Sequence, residues 1–406
     1  MTSRFKLKVI TSLTGLETLR PFWESVQWHW SADYEFFRIF VQTRKEILSP
    51  CVLVVSEGEK PVALLAGRLE QADMSISLGY VTLARIPVRQ VIFMEGGFMG
   101  QKSEEIWSLL AGSLQQLFRG QQANRIILEQ VKIGSVEQQV VQRAFGRRQL
   151  SVSGDEVEHW LMRMPANWDA FLKNRSKKHR YWLKRMVTVL DREFAGQWSI
   201  KKFTTGSEAA DFAQAAEQVS SKTYQRGLGV GFQLQGETMR RLQLEADQGR
   251  FRGYILFIQG EPRAFWYCFV YGSTLYLGAT GYDPAFRNYE VGTVLLMRVF
   301  QDHCGTDIET VDFGLGDAGY KQRFGSEKYS QTSLCILPRT VRGFALNMLQ
   351  SANVYAIKSA KAFLGRFGVI QWVKTRWRRK IERKLPIQAD AESDHAQLET
   401  ERKANP

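Results

Sequence analysis

The sequence predicts an α/β fold of the α+β kind, with mixed, largely antiparallel sheets in two similar halves and a basic helix after them. Three observations predict it. Two β-rich hairpin patterns, each broken by a Gly-containing turn, lie about 200 positions apart. Each is followed by further strands, a helix and another strand. Helical periodicity fills the stretch between them.

In the first half, Cys51-Val52-Leu53-Val54-Val55 turns at Glu57-Gly58-Glu59-Lys60 and continues through Pro61 to Gly67. A helix is expected from Ser103 to Phe118 and a strand at Arg125-Ile126-Ile127-Leu128. Between the halves, Trp168, Phe171, Leu172, Trp182, Leu183, Met186, Val187, Leu190 and Phe194 recur at spacings of three and four, with one gap. That is one apolar face of a long helix. Its other face carries Lys173, Arg175, Lys177, Lys178, Arg180, Lys184 and Arg185. Two more helices are expected, from about Ser207 to Arg226 and from Glu237 to Asp247, with Gly227 and Gly249 just beyond. The second hairpin runs from Gly253-Tyr254-Ile255-Leu256-Phe257-Ile258 through Gln259-Gly260-Glu261-Pro262 to Phe269. A helix at Val291 to His303, a strand at Thr310 to Phe313 and a last strand at Thr332 to Leu337 complete it. That order gives a mixed sheet, not a doubly wound one.

The 406 residues exceed one ordinary domain of about 100–200 residues, and 44% apolar content with 11 Trp and 25 Phe supplies a real core. Four cysteines, Cys51, Cys268, Cys304 and Cys335, form no paired motif. Reduced thiols and no metal site are the expectation. Met1 to Lys8 is charged with no long apolar run after it, and no window of 18 apolar residues occurs. A cytoplasmic protein is expected. The net charge of +14 favours anionic partners. From Lys358 to Lys384 there are ten Lys/Arg against the single acid Glu382, with Trp372 and Trp377 among recurring apolar residues. The pattern fits an amphipathic segment on anionic lipid, with a terminal packing helix as the plainer alternative. Beyond Pro386 the composition becomes acidic and small, as in a disordered tail.

Two stretches carry chemistry. Tyr282-Asp283-Pro284-Ala285-Phe286-Arg287 joins a strand to a helix with Gly292 and Thr293 in its first turn. Unpartnered N–H groups and the positive dipole end make such a start an anion site. Arg287 adds a charge. An ordinary capped helix start reads the same way. The second stretch is Asp312-Phe313-Gly314-Leu315-Gly316-Asp317-Ala318-Gly319-Tyr320-Lys321, at the carboxyl end of a strand. Polar groups gathered after a buried strand commonly line a site in α/β proteins, but an Asp–Lys pair that locks the loop explains them equally.

Taken together, the Tyr282-Asp283-Pro284 turn, Gly292-Thr293-Val294-Leu295-Leu296, the Asp312 to Asp317 loop and Tyr320-Lys321-Gln322-Arg323-Phe324 resemble the CelD/BcsL-type branch of the GNAT acyltransferases. That branch is associated with cellulose and other exopolysaccharide biosynthesis. The resemblance covers about Trp168 to Arg339 well and the first half loosely. It implies tandem GNAT-like (acyl-CoA N-acyltransferase) folds, as in the Fem-type transferases, with acetyl-CoA or another acyl-CoA as donor and a sugar or other small acceptor. Residues 1–160 become a degenerate GNAT-like domain, 161–340 the acyltransferase domain, 341–385 a basic extension and 386–406 a tail. Gly292 and Thr293 match the place where GNAT proteins hold the CoA pyrophosphate, although one of the usual glycines is missing from Asn288 to Val294.

Direct attack on a thioester needs positioning, proton removal and oxyanion stabilisation. Backbone N–H groups at Gly278, Ala279 and Thr280 are candidates for the oxyanion, and Arg287, Gly292 and Thr293 for the cofactor phosphates. Asp312 or Asp317 is the candidate base, Tyr320 the proton donor to the thiolate, and Lys321 an acid-binding group or a partner of Asp317. His179 is expected at the surface and His303 at a helix end that favours its cation. Trp23, Trp28 and Trp30 could stack on a sugar ring, but core packing is the favoured use. Two other functions fit the pattern: a Fem-like ligase drawing on aminoacyl-tRNA, the one reading that calls for nucleic acid, and a non-catalytic module binding polysaccharide or membrane.

Overall fold

The computed structural model describes residues 4–78, 81–120, 123–223, 226 and 231–366. The basic stretch beyond Arg366 and the acidic tail lie outside them. The first half runs β1 (Phe5–Ile10), α1 (Leu13–Val26), α2 (Tyr34–Thr43), β2 (Ile47–Pro50), β3 (Val52–Glu57), β4 (Lys60–Leu78), β5 (Val81–Gly100), α3 (Glu104–Arg119), β6 (Arg125–Lys132), α4 (Val136–Gln149) and β7 (Leu150–Arg163). Then come α5 (Trp168–Lys173) and α6 (Lys177–Glu193). The second half follows as β8 (Trp198–Phe203), α7 (Gly206–Ser221), α8 (Gly236–Asp247), β9 (Phe251–Ile258), β10 (Glu261–Tyr271), β11 (Thr274–Tyr282), α9 (Val291–His303), β12 (Thr310–Leu315), α10 (Gly319–Phe324) and β13 (Glu327–Ile336). The last helix is α11 (Val341–Arg366).

The repeat read from the sequence is a repeat of topology. In the first half, β3–β4 is an antiparallel hairpin, β4 pairs β5, and β5 runs parallel to β6. In the second, β9–β10 is the hairpin, β10 pairs β11, and β11 runs parallel to β12. The expected pair of sheets is one 13-stranded sheet, in the order β1-β3-β4-β5-β6-β13-β7-β12-β11-β10-β9-β8 with β2 on β4. It is continuous because the halves exchange strands. β13, last in the chain, lies between β6 and β7. β7, from the first half, pairs β12. The cores confirm the exchange: Leu334 and Ile336 of β13 pack with Phe93, Trp107 and Ile126, while Met162 of β7 packs with Leu275, Val311 and Phe313.

Helices cover both faces of each half, so strands such as β10 read as continuous apolar runs. The single helix expected from Trp168 to Phe194 is two. Lys173 is the last residue of α5, and a new start is made at Ser176, whose hydroxyl caps the His179 N–H. The next helix stops at Ser221, not near Arg226. Trp23 is fully buried beside Tyr34 and Phe37. Trp28 is exposed, with Lys102 over its ring, contrary to the core role expected of it. Cys268 and Cys335 are buried free thiols. Among the described residues no helix is long and apolar enough to cross a membrane.

Since each half fills a place in the other, urea unfolding should be a single transition. Tryptophan fluorescence and far-UV circular dichroism should share one midpoint. Two separate midpoints would contradict mutual dependence of the halves.

Candidate active site

Strands β11 and β12 pair over only three positions, Thr274–Tyr276 with Thr310–Asp312, and then part. From Leu277 onward the β11 edge facing β12 has no strand partner. Two local devices accompany the parting. Gly278 is an extra residue in the β10–β11 register, and a Cβ there would meet the Tyr267 ring at 2.9 Å. On the other wall, Gly314 and Gly316 adopt positive φ of 68° and 95°. Gly314 N–H donates to Asp312 Oδ1 at 2.6 Å, and Gly316 N–H to the Glu158 carbonyl of β7.

The helix start at the mouth is formed as the sequence predicts. Glu290, in the left-handed region, precedes α9, and its side chain makes no cap hydrogen bond to the helix N–H groups. Thr293 N–H turns back to the Glu290 carbonyl, and Thr293 Oγ1 donates to Glu290 Oε2 at 3.0 Å. Gly292 has room: an added Cβ would meet nothing nearer than 3.4 Å. Arg287 is exposed on the preceding 3-10 turn. That turn is fixed by Asp283, which accepts from Ala285 N–H, Lys222 and Arg263. Trp266 links the helix start to the Asp312 loop: its Nε1–H donates to the Gly292 carbonyl at 3.1 Å, and its ring meets Tyr320 edge-on at 5.5 Å. Of the remaining cofactor candidates, Ala279 pairs with Tyr267 and Thr280 Oγ1 donates to the Phe265 carbonyl.

The acidic loop divides into two environments. Asp317 is exposed and accepts a hydrogen bond from Gln322, not from Lys321. Lys321 is buried and donates to the Leu315 carbonyl at 2.6 Å. Burial pulls the Lys321 pKa below its ordinary value, opposed by the charge of Asp312. Lys321 therefore bonds the Leu315 carbonyl instead of Asp317, and feels Asp312 only through its charge.

Asp312 is the end of a buried relay that sequence reasoning missed. Its Oδ1 lies 2.7 Å from Nε2 of His159 on β7. His159 Nδ1 lies 3.0 Å from Gln331 Oε1 on β13. Gln331 Nε2 donates to Glu95 Oε1 on β5 at 2.8 Å and to the Gln130 carbonyl on β6. Because the Gln331 amide nitrogen is committed to those acceptors, its oxygen faces the ring. Both ring nitrogens of His159 then face acceptors, which requires the imidazolium. Burial lowers the His159 pKa, but the hydrogen bond and charge of Asp312, with Gln331 and Glu95, carry it above its ordinary value. Tyr329 stacks on the ring at 4.8 Å. Glu95 is shifted upward by burial, with the Gln331 hydrogen bond opposing. A cavity of about 450 Å³ opens over the relay, lined by Glu95, Tyr276, Asp312, Tyr329, Gln331 and Lys132 among others. The available signal was a set of polar side chains, Glu95, His159 and Gln331, inside strands otherwise built for burial.

His303 and His179, the two histidines read from the sequence, are both shifted down. His303 is buried and pushed down to about 4, first by burial and then by Lys202 and Arg252, so the helix end does not favour its cation. His179 packs between Trp182 and Phe324 and is lowered by burial, Arg175 and Arg323.

Residues 177–322 match a family model described as an acetyltransferase (GNAT) domain. The chain carries a GNAT-type acetyltransferase domain. It spans α6 to α10 and contains every candidate site residue named from the sequence. Acyl transfer is the chemistry of this domain, generally with an acyl-CoA donor. No curated protein matches the chain. Among solved structures, FemX is similar at 11% identity and TM-score 0.48, covering 71% of this chain and 88% of that one. The C-terminal domain of a putative lysylphosphatidylglycerol synthetase from Agrobacterium fabrum is similar at 12% and 0.45, covering 70% and 85%. A GCN5-related N-acetyltransferase from Sphaerobacter thermophilus is similar at 9% and 0.40, covering 83% and 96%. These distant likenesses identify no activity. Among the described residues no group of three or more His, Cys, Asp or Glu side chains could hold a metal ion.

A His159 raised in the folded state stabilises the fold fully below pH 6.5, and that contribution is lost as pH rises through its folded pKa. His159→Gln should therefore cost about 2–4 kcal/mol at pH 6 and progressively less towards pH 9, in urea titrations. A cost independent of pH would refute the charged relay.

Proposed function

We propose that this protein transfers an acyl group from acetyl-CoA or another acyl-CoA onto an amine or hydroxyl of a sugar or other small acceptor. The observation that carries the proposal is the parting of β11 from β12 between an uncapped helix start and the Asp312–Lys321 loop. The α9 start, with N–H groups of Val291 and Gly292 not capped by a side chain, fits a pyrophosphate, and Arg287 adds a cation beside it. The thioester would lie along the β11 edge at Gly278, Ala279 and Thr280, where backbone N–H groups can meet the developing oxyanion. The acceptor enters from the cavity over the relay. Its nitrogen or oxygen bonds to the acyl carbon as the carbon–sulfur bond breaks. Asp312, oriented by His159, takes the acceptor proton, and Tyr320 returns a proton to the thiolate. The buried Lys321 side chain feels the charge of Asp312 from the same loop. Asp317, exposed and bound to Gln322, is placed as a loop-setting residue at the rim.

The resemblance to the CelD/BcsL type supports a role in exopolysaccharide or cellulose biosynthesis. The basic stretch 358–384 supports peripheral contact with an anionic membrane at its cytoplasmic face. One observation favours a second reading. Lys173, Lys177, Lys178, Lys184 and Arg185 are exposed on α5 and α6, a footprint suited to the backbone of an aminoacyl-tRNA donor.

Acetyl-CoA at a hundredfold excess over its dissociation constant should stabilise the protein by about 2.7 kcal/mol, visible as a rise in Tm. Gly292→Asp should abolish the rise by placing a carboxylate at the helix start. An unchanged Tm with acetyl-CoA, beside tRNA binding that weakens steeply with salt, would favour the second reading. Lys321→Ala should lower acceptor-dependent thiol release by about 100-fold or more, whereas Asp317→Ala should lower it less than tenfold. The reverse ranking would return the chemistry to Asp317.

A further inference from the structure

Helix α11 is amphipathic in the wrong sense for a packing helix. Its inner face lies on β7, β4 and α4. Among the described side chains, those buried there are Gly343, Asn347 and Gln350, with Asn347 3% and Gln350 8% exposed and Leu346 and Val354 half-buried beside them. Asn347 Nδ2 donates to the Arg147 carbonyl at 3.1 Å, and Gln350 Nε2 to the Val152 carbonyl at 3.2 Å. The outer face carries Val341, Phe344, Met348 and Tyr355, exposed by 90%, 47%, 58% and 75%. Their spacing of three, four and seven residues makes one stripe along the helix, with exposed Ala352 between the last two. Large apolar side chains scattered singly on a surface need no explanation, whereas an aligned row beside a hydrogen-bonded polar inner face marks an interaction surface.

We propose that the outer stripe of α11 is a membrane-docking face that inserts into the headgroup region of an anionic bilayer. The charge of the chain that follows selects this occupant. The stripe leads directly into 358–384, with ten Lys/Arg against one acid and Trp372 and Trp377 among them. A second copy of this chain would bring those cations against each other. The acidic segment 386–406 offers charge to them but no apolar run to cover Phe344, Met348 and Tyr355. An anionic lipid surface satisfies both features at once: acyl chains take the stripe and phosphates take the cations. Docking through α11 also holds the helix by its hydrogen-bonded inner face, so the enzyme body sits on the membrane in a fixed orientation. This inference rests on the membrane contact proposed for 358–384 and assigns it a second, apolar component.

The test uses the full chain and vesicles of phosphatidylcholine with or without phosphatidylglycerol. Phe344→Ser, Met348→Ser and Tyr355→Ser are combined in one variant. In another, Arg378, Arg379 and Lys380 are replaced by Gln. Wild type should co-sediment with the anionic vesicles and not with phosphatidylcholine alone. The apolar variant should bind at least about tenfold more weakly, with an unchanged Tm because those side chains are exposed. If it binds as wild type while the charge variant does not, the cationic segment acts alone and the docking stripe is refuted. If neither variant differs, the stripe and the proposed cationic contact both fall. If wild type is a dimer that the apolar variant breaks, without any change in vesicle binding, the stripe covers a second copy instead. Each readout is independent of acyl transfer.

Discussion

The exchange of β7 and β13 is the constraint on which the rest of the molecule depends. A strand contributed by the opposite half cannot be separated without exposing two sheet edges and the core beneath them. Leu334 and Ile336 lie in the first core and Met162 in the second, so each half is completed by the other. The exchange also brings four strands from both halves, β5, β13, β7 and β12, within one hydrogen-bond relay. Glu95 and Asp312 are 217 positions apart in sequence (312 minus 95), yet two intervening side chains join them. A buried ionic group costs stability unless its partners are supplied with good geometry. Here the seam supplies them, and the cost is met with a residue, Asp312, that is held by His159 and by the Gly314 N–H.

A second constraint, present in both halves, opens the sheet. In each, a parallel pair runs for a few positions and then parts beside an irregular strand. In the second half the irregularity is one residue, Gly278. In the first it is the stretch Met94 to Gly97, between Phe93 facing Gly67 and Phe98 facing Leu65. The duplicated unit thus retains the opening twice. What differs is the filling. At Gly96 an added Cβ would lie 2.3 Å from that of His29, so the first opening is approached by a side chain of its own half. At Gly292 and Gly314 the neighbouring space remains free. The GNAT family match falls on the second opening alone.

Much of this fold was legible in the sequence because hairpins and helix starts are local. The β-rich runs around Gly58 and Gly260 and the Val291 to His303 helix depend on neighbours a few residues away, and they form where the pattern puts them. Ser176 was a local signal too, but the apolar spacing on either side of it bridged the break. The site was legible only in part. Asp312 and Lys321 stood out because they follow a strand and flank glycines. His159, Gln331 and Glu95 did not, since their meeting is a consequence of strand exchange, which no short-range pattern encodes. The same gap explains the pairing error at Asp317. Four positions from Lys321 is helical contact distance, but burial drew the lysine inward to Leu315 and left Asp317 to Gln322.

The buried histidines set opposing limits on this arrangement. His29 and His303 are each pushed down to about 4 from 6.5, chiefly by burial. Their neutral forms contribute fully above pH 6.5, and folding loses that contribution as pH falls towards 4, roughly 3 kcal/mol each at most. His159 is raised, so its contribution is complete below 6.5 and fades as pH climbs through its folded pKa. The relay therefore weakens in base and the packed histidines weaken in acid. Of the two limits the basic one bears on chemistry. A neutral His159 keeps one ring N–H for two acceptors, and the carboxylate is the stronger, so the bond lost is the one to Gln331 Oε1, which anchors the ring that orients Asp312. A sheet seam built from a titrating residue thereby couples the integrity of the fold to the protonation state in which Asp312 is best placed to accept a proton.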